Sequence, residues 1–176
     1  MTGTLPQGYR RTAANRIREN VGWGYDDFIT GRIIEHRPAR TVTETDNLLG
    51  TALAGNTAPI HTDAHYAATT RWGQILVCGG VTLNLVAGMT VRSTSGLTLA
   101  NLTLDDVRFT HPVFVGDTLY AETEIVGRRR SESRPDQGLV TCRTRGHNQD
   151  HTLVVTFTRT FLVPTDPDAV RDATGY

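Results

Sequence analysis

The 176-residue chain contains no lysine; all 18 of its Lys/Arg positions are arginine. That absence excludes a lysine Schiff base and the phosphate-gripping lysine of a Walker-type loop. Net charge is missing too, because 18 acidic residues balance the arginines and the formal charge is +0 at pH 7. Neither a nucleic acid nor an anionic membrane surface finds the basic footprint it needs. Cysteine is scarce: the two present, Cys78 and Cys142, lack CxxC or other metal-like spacing and fit a reducing compartment rather than a disulfide framework. No apolar run approaches the roughly 18 residues of a membrane span, and Met1 to Arg11 carries no apolar signal-like core. The expected compartment is the cytoplasm, with neither membrane nor nucleic acid as partner.

What is present suffices for one good core, so one domain is expected over residues 1–176, with 1–26 as a lead-in and 164–176 as a polar, mobile tail. A weak helical tendency covers Thr12 to Arg18. Ile33, Ile34 and the segment Arg40 to Thr43 read as a first strand, after which Thr43 and Asp46 cap a helix running to about Leu53 and ended by Gly55. Asn56-Thr-Ala-Pro-Ile-His61-Thr-Asp63 is rich in turn residues, and Asp63 caps a further short helix through Thr70. His61 is thereby expected on a loop just ahead of that helix. From Gly79 the chain is apolar on nearly every helical face to Met89, as a helix wrapped by other structure must be. Four segments of strand character follow: Leu97 to Phe109, Thr118 to Arg128, Leu139 to His147 and Thr152 to Val163. Turn chemistry at Ser133 to Gly138 and at Asn148 to Asp150 makes the last three an antiparallel meander. A sheet wrapped around a buried helix is an α+β architecture.

A series of motifs in order resembles the MaoC-like hydratase/dehydratase family, including its (R)-specific enoyl-CoA hydratases. The D-x4-H-x5-A spacing is met by Asn56, His61 and Ala67, with asparagine in place of the leading aspartate. Cys78-Gly79-Gly80 stands where that family opens its central helix, and Phe109-Thr-His-Pro112-Val113-Phe-Val-Gly116-Asp117 is similar to its F-x-x-P-V-x-x-G-D segment. The resemblance runs from about Asp27 to Val163. Around Asn-Thr-x-Pro-x-His it looks nearest a branch handling itaconyl- and mesaconyl-CoA. It implies a hot-dog fold, a homodimer or dimer of dimers joined sheet edge to sheet edge, and a site at the subunit boundary. The implied substrate is an acyl-CoA or acyl carrier protein thioester, with CoA or phosphopantetheine as part of the substrate and no separate cofactor.

The chemistry can be argued from the residues as well. In a 2-enoyl thioester the carbonyl draws electron density from C3, so water adds there while negative charge gathers on the carbonyl oxygen. A base must reach the water, and a donor must aim at that oxygen. His61 suits the first task near neutrality. The backbone N–H of Gly79 suits the second, because the first N–H groups of a helix have no internal partner and its dipole favours negative charge. Asn56 can position the water but cannot take its proton. Asp63, Cys78 and Gly80 complete the expected substrate-binding set, with Asp63 or Asp46 as the carboxylate that replaces the missing aspartate if His61 does not act alone.

Other readings of the same residues remain. His61, Asp63 and His65 have zinc-like spacing only if all share one helix, which Pro59 and the Asp63 cap oppose, so no metal is expected. Cys78 beside Gly79 reads more naturally as a small buried hydrophobe than as a nucleophile. Arg128 to Arg130 and Arg134 either meet CoA phosphates or the acidic surface of an acyl carrier protein, or form a solvated hairpin end. His111 and His147 read as structural, and Leu83, Val86 and Met89 either line an acyl tunnel or, as the plainer reading, fill the core. A hot-dog thioesterase and a non-catalytic acyl-thioester-binding subunit are the competing functions.

Overall fold

The computed structural model describes residues 4–175; Met1, Thr2, Gly3 and Tyr176, which belong to the expected lead-in and tail, lie outside them. Strands β1 (Tyr9–Ala13) and β2 (Arg16–Glu19) form a hairpin where a weak helix was expected. Their side chains are nearly all exposed, so neither a period of two nor an apolar stripe marks them. A 3-10 turn at Tyr25–Asp27 then leads to β3 (Ile33–Thr41), which joins both halves of the expected first strand across an irregularity between His36 and Arg40.

Helix α1 (Glu44–Leu53) starts at the predicted capping box: Asp46 N–H donates to Thr43 Oγ1 at 3.2 Å and Thr43 N–H to Asp46 Oδ2 at 2.8 Å. These bonds, Thr43 foremost, hold the Asp46 carboxyl below its ordinary pKa, helped by Arg40 at 2.6 Å. Short helices α2 (Pro59–Thr62) and α3 (Ala64–Thr69) follow. Proline at the first position of α2 sets its backbone for a helical turn, so His61 sits inside a helix and not on the loop expected for it. Asp63 ends α2 and caps α3 through Tyr66 N–H at 3.0 Å.

Helix α4 (Gly79–Val91) is the buried helix, packed against β3 and against β5 (Thr118–Arg130) and β6 (Gln137–His147). It comes close to the sheet at Gly146, where a Cβ would stand 2.7 Å from Val86. After β4 (Ala100–Phe109), strands β5, β6 and β7 (Leu153–Pro164) make the predicted meander, and β4 returns to pair with β7. The antiparallel order is β3-β5-β6-β7-β4, with β3 and β4 as edges.

Two apolar clusters pack against the sheet, the first under α4 and the second under the Tyr25–Phe28 turn. One gathers Val42, Val81, Val86, Leu119 and Phe157, the other Phe28, Ile125, Val140, Phe161 and Val163. Between them on successive strands lie His36, Thr123, Thr144 and Arg159, all buried and polar. The segment expected as a tail forms α5 (Pro167–Thr174), capped by Asp166 and docked by buried Arg171, which donates to the Gly22 carbonyl at 2.9 Å. A polar helix held by the Arg171 bond, by Arg10 to Asp172 and by Arg18 to the Gly175 carbonyl leaves little apolar signal in the sequence.

Candidate active site

The site is built where α2 and the chain entering α4 meet. His61 is half-buried, and its Nδ1 lies 2.7 Å from the Leu76 carbonyl oxygen. A carbonyl only accepts, so Nδ1 carries the hydrogen of the neutral ring and Nε2 keeps its lone pair. Among the described residues Nε2 has no partner. The backbone supports the same arrangement, because Leu76 N–H donates to the Ile60 carbonyl at 3.1 Å.

Asn47 ties this base to the helix start. Buried on α1, it donates from Nδ2 to the His61 carbonyl at 2.8 Å and accepts at Oδ1 from Cys78 N–H at 2.9 Å. Sequence reasoning did not single it out. The available signal was a buried-face asparagine inside a helix, where that residue competes with the backbone and needs partners of its own.

At the other end of that bridge α4 begins uncapped. Cys78 is extended and offers no side-chain acceptor to the helix, and among the described residues the N–H groups of Gly79 and Gly80 bond to nothing. A helix N-terminus of this kind presents roughly half a positive charge to whatever lies before it. A cleft of about 430 Å³ lies there, lined by His61, Trp72, Gly79, Phe109, His111 and Val113 among others. His111, read as structural from the sequence, is exposed and faces this cleft. Gly79 is closely packed: a Cβ on it would come within 3.1 Å of the Phe109 ring, which would have to give by a few tenths of an ångström.

The Phe109 to Asp117 motif makes one wall. Gly116 adopts φ +98°, which favours glycine, and Asp117 Oδ2 accepts from Phe114 N–H at 2.8 Å. That turn sets Val113 beside the approach to α4, where its carbonyl accepts from Val77 N–H at 2.9 Å.

The remaining predicted residues fall as follows. Asn56 is engaged at both ends of its amide, accepting from Ala58 N–H at 3.0 Å and donating to Cys78 Sγ at 3.3 Å, so it organises the loop before α2. Cys78 is buried behind the cleft, and Gly80 is exposed at the helix start. Asp63 is an exposed helix cap outside the cleft, and Asp46 is held in its capping box by Thr43 and Arg40. Neither Asp63 nor Asp46, the candidates for a substitute carboxylate if His61 does not act alone, lines the cleft. No carboxylate lines the cleft among the described residues, although exposed Glu44 lines an adjoining cavity on another side of His61. His65 lies on α3, beyond the break at Asp63, and the described residues contain no cluster of three metal-ligating side chains. Arg128 donates to the Tyr25 carbonyl at 2.7 Å and, with Arg130, stacks over the Tyr25 ring. Both belong to the far end of β5, about 33 and 40 Å of strand from Thr118.

The family model described as "MaoC like domain" matches residues 27–145. The chain belongs to the MaoC-like domain family. Its curated relatives include a β-methylmalyl-CoA dehydratase of Chloroflexus aurantiacus, 32% identical over 143 residues, which cover 80% of this chain and 40% of that protein. A mesaconyl-CoA hydratase of Cereibacter sphaeroides is 31% identical over 147 residues, covering 84% of this chain and 43% of that protein. The chain thus spans less than half the length of these MaoC-like relatives. Among solved structures, a Mycobacterium tuberculosis protein with a double hot-dog fold superposes with a TM-score of 0.76 at 28% identity, covering 84% of this chain and 46% of that one. The five-stranded antiparallel sheet around α4 is accordingly one hot-dog unit.

Proposed function

We propose that this MaoC-like chain is a hydro-lyase, adding or removing water across the 2,3 double bond of an acyl thioester of CoA or of a carrier protein. The observation that carries the reading is the pairing, in one cleft, of a histidine with a free Nε2 and a helix start with free N–H groups. The names of the curated relatives, a dehydratase and a hydratase of CoA esters, support the same reaction class.

The residues would divide the work as follows. Nε2 of His61 takes a proton from water as the water oxygen bonds to C3. The thioester oxygen, gaining charge as the enolate forms, accepts from Gly79 N–H, with the Gly80 N–H beside it. The proton held by His61 is then delivered to C2, which completes hydration and restores the neutral ring. Asn47 fixes the spacing between base and donor, while Asn56 shapes the loop that carries the base. No cofactor beyond the thioester carrier enters these steps.

The proposed unit in solution is a homodimer, or a dimer of dimers, in which a second hot-dog unit covers edge strand β4. That strand exposes Leu102, Leu104 and Phe109, and an open apolar edge calls for a cover. The proposed compartment is the cytoplasm; no described helix is long and apolar enough to cross a membrane.

The test is to incubate the purified protein with crotonyl-CoA and follow the absorbance of the conjugated thioester alongside free thiol. Loss of absorbance without thiol release is predicted. Thiol release would indicate a thioesterase, and no change with tight binding would indicate a non-catalytic subunit.

A further inference from the structure

A water that is to attack C3 needs two contacts and not one. Its oxygen has to face the carbon while one hydrogen faces the base, and a water held by a single hydrogen bond still turns about it. His61 supplies the first contact through Nε2. Asn56, expected from its spacing to position the water, spends both ends of its amide on Ala58 N–H and Cys78 Sγ and does not line the cleft. Among the described residues no carboxylate lines it either. The second contact has to come from another part of the wall.

Few side chains there are free to accept. Arg71 and Trp72 carry donors only, and the Arg71 guanidinium stacks 4.2 Å from the centre of the Trp72 ring. Thr82 and Thr110 turn their hydroxyls to the carbonyls of Cys78 and Leu153, at 3.5 and 2.5 Å, and Thr82 is buried. His111 differs from all of these: it is exposed, it lines the cleft, and among the described residues its ring has no hydrogen-bond partner. A neutral imidazole keeps one acceptor nitrogen.

The backbone around His111 is fixed on both sides. Thr110 N–H donates to the Val154 carbonyl at 3.0 Å, and the Val113 carbonyl accepts from Val77 N–H at 2.9 Å. Pro112 keeps the residue before it out of the helical region. Val77 N–H shares its peptide group with the Leu76 carbonyl, the oxygen 2.7 Å from His61 Nδ1. One rigid peptide plane therefore spaces the base from the loop that carries His111. The cleft they line, about 430 Å³, has the volume of a sphere about 9 Å across. Two ring nitrogens sharing one water stand about 4 to 5 Å apart, which leaves room in that space for the reacting carbons.

We propose that His111 is a second catalytic residue, which accepts the water hydrogen that His61 does not take and so aims the water oxygen at C3. The inference rests on the hydro-lyase reading and gives that site its second contact to water. No proton passes to His111. The hydrogen it holds stays on the oxygen and becomes that of the 3-hydroxyl group, while the other goes to His61 and on to C2.

Hydration of crotonyl-CoA and calorimetric binding of butyryl-CoA, which cannot be hydrated, test this together. His111→Ala is predicted to lower kcat about tenfold or more while butyryl-CoA binds within about twofold of the unmodified affinity, because the lost contact is to water and not to the thioester. His111→Asn and His111→Gln each put an amide oxygen near one ring nitrogen, and one of the two is predicted to recover most of the rate. In His61→Ala, removing His111 as well should cost less than about threefold more, since residues that act on one water do not multiply their effects. Turnover by His111→Ala within about threefold of the unmodified rate overturns the proposal and leaves the hydro-lyase reading standing. An equal loss of butyryl-CoA affinity, no recovery in either amide variant, or losses that multiply with His61→Ala would do the same. If the unmodified protein leaves crotonyl-CoA unchanged, the hydro-lyase reading fails and the role of His111 with it.

Discussion

His61 lies 2.7 Å through Nδ1 from the carbonyl oxygen of Leu76, fifteen residues later in the chain, and this one bond decides which ring nitrogen is left for chemistry. It fixes the tautomer, turns Nε2 outward and fastens α2 to the strand-like segment that enters α4. Base and helix start are thereby parts of one bonded unit.

Asn47 is the keystone of that unit, so Asn47→Ala should harm both stability and turnover. It leaves the His61 carbonyl and Cys78 N–H without partners in a buried place, a loss of about 2 to 4 kcal/mol. Hydration should fall about tenfold or more even at temperatures where the variant is folded. Urea unfolding and initial rates measured on the same preparation check both parts; a stable, fully active variant would remove the bridge from the account.

Gly79→Ala separates function from folding. A helix tolerates alanine better than glycine, and the Phe109 ring that the new methyl would meet is 53% exposed and can shift, so stability should change by less than about 1 kcal/mol. The methyl nevertheless intrudes beside the proposed donor, and turnover should drop by about a hundredfold. Near-normal rates would place the developing charge elsewhere.

Asn56 already uses both ends of its amide within the protein, which predicts an adapted loop residue and not a decayed base. Asn56→Asp keeps the acceptor for Ala58 N–H and loses the donor to Cys78 Sγ. Steady-state rates on the best enoyl thioester should not improve. Glu44→Gln tests the carboxylate that shares an adjoining cavity with His61 and should alter rates by less than about threefold. A tenfold gain in the first variant, or a hundredfold loss in the second, would move the proton transfer to a carboxylate.

Much of this framework was legible in the sequence and some was not. The Thr43 and Asp46 capping box, the apolar run of α4 and the alternation along β5 are local patterns, and each became the element it announced. The β1–β2 hairpin and α5 carry no apolar stripe, since cross-strand pairing and the Arg171 bond to Gly22 hold them. Asp166 followed by Pro167 was a readable helix start, hidden by the polar composition around it. In the site, His61 and Gly79 were marked by spacing. Asn47 meets His61 and Cys78, and His111 the cleft, only through the tertiary fold, and the buried charge of Arg159 emerges only when its surroundings are known.

The polar band makes stability pH-dependent. Burial, then Arg159 and Arg37, lowers the pKa of His36 from 6.5 to about 4, while Ser93 and Thr123 bond its two nitrogens. The unfolded chain therefore binds the extra proton first: the contribution is complete above about 6.5 and is lost as pH falls toward 4, on the order of 3 kcal/mol in all. His36→Gln should lose less stability than the unmodified protein over that interval in urea titrations. Parallel profiles would contradict a buried neutral histidine.

The most direct measurement of the central claim is the hydration rate of His61→Ala beside that of the unmodified protein, on the thioester the latter turns over best. A general base accounts for a hundredfold or more, so the variant should retain its fold and bind the thioester while turning over at about one hundredth of the rate or less. A folded His61→Ala protein that hydrates the thioester within about threefold of the unmodified rate would contradict the assignment of His61, and with it the proposed site.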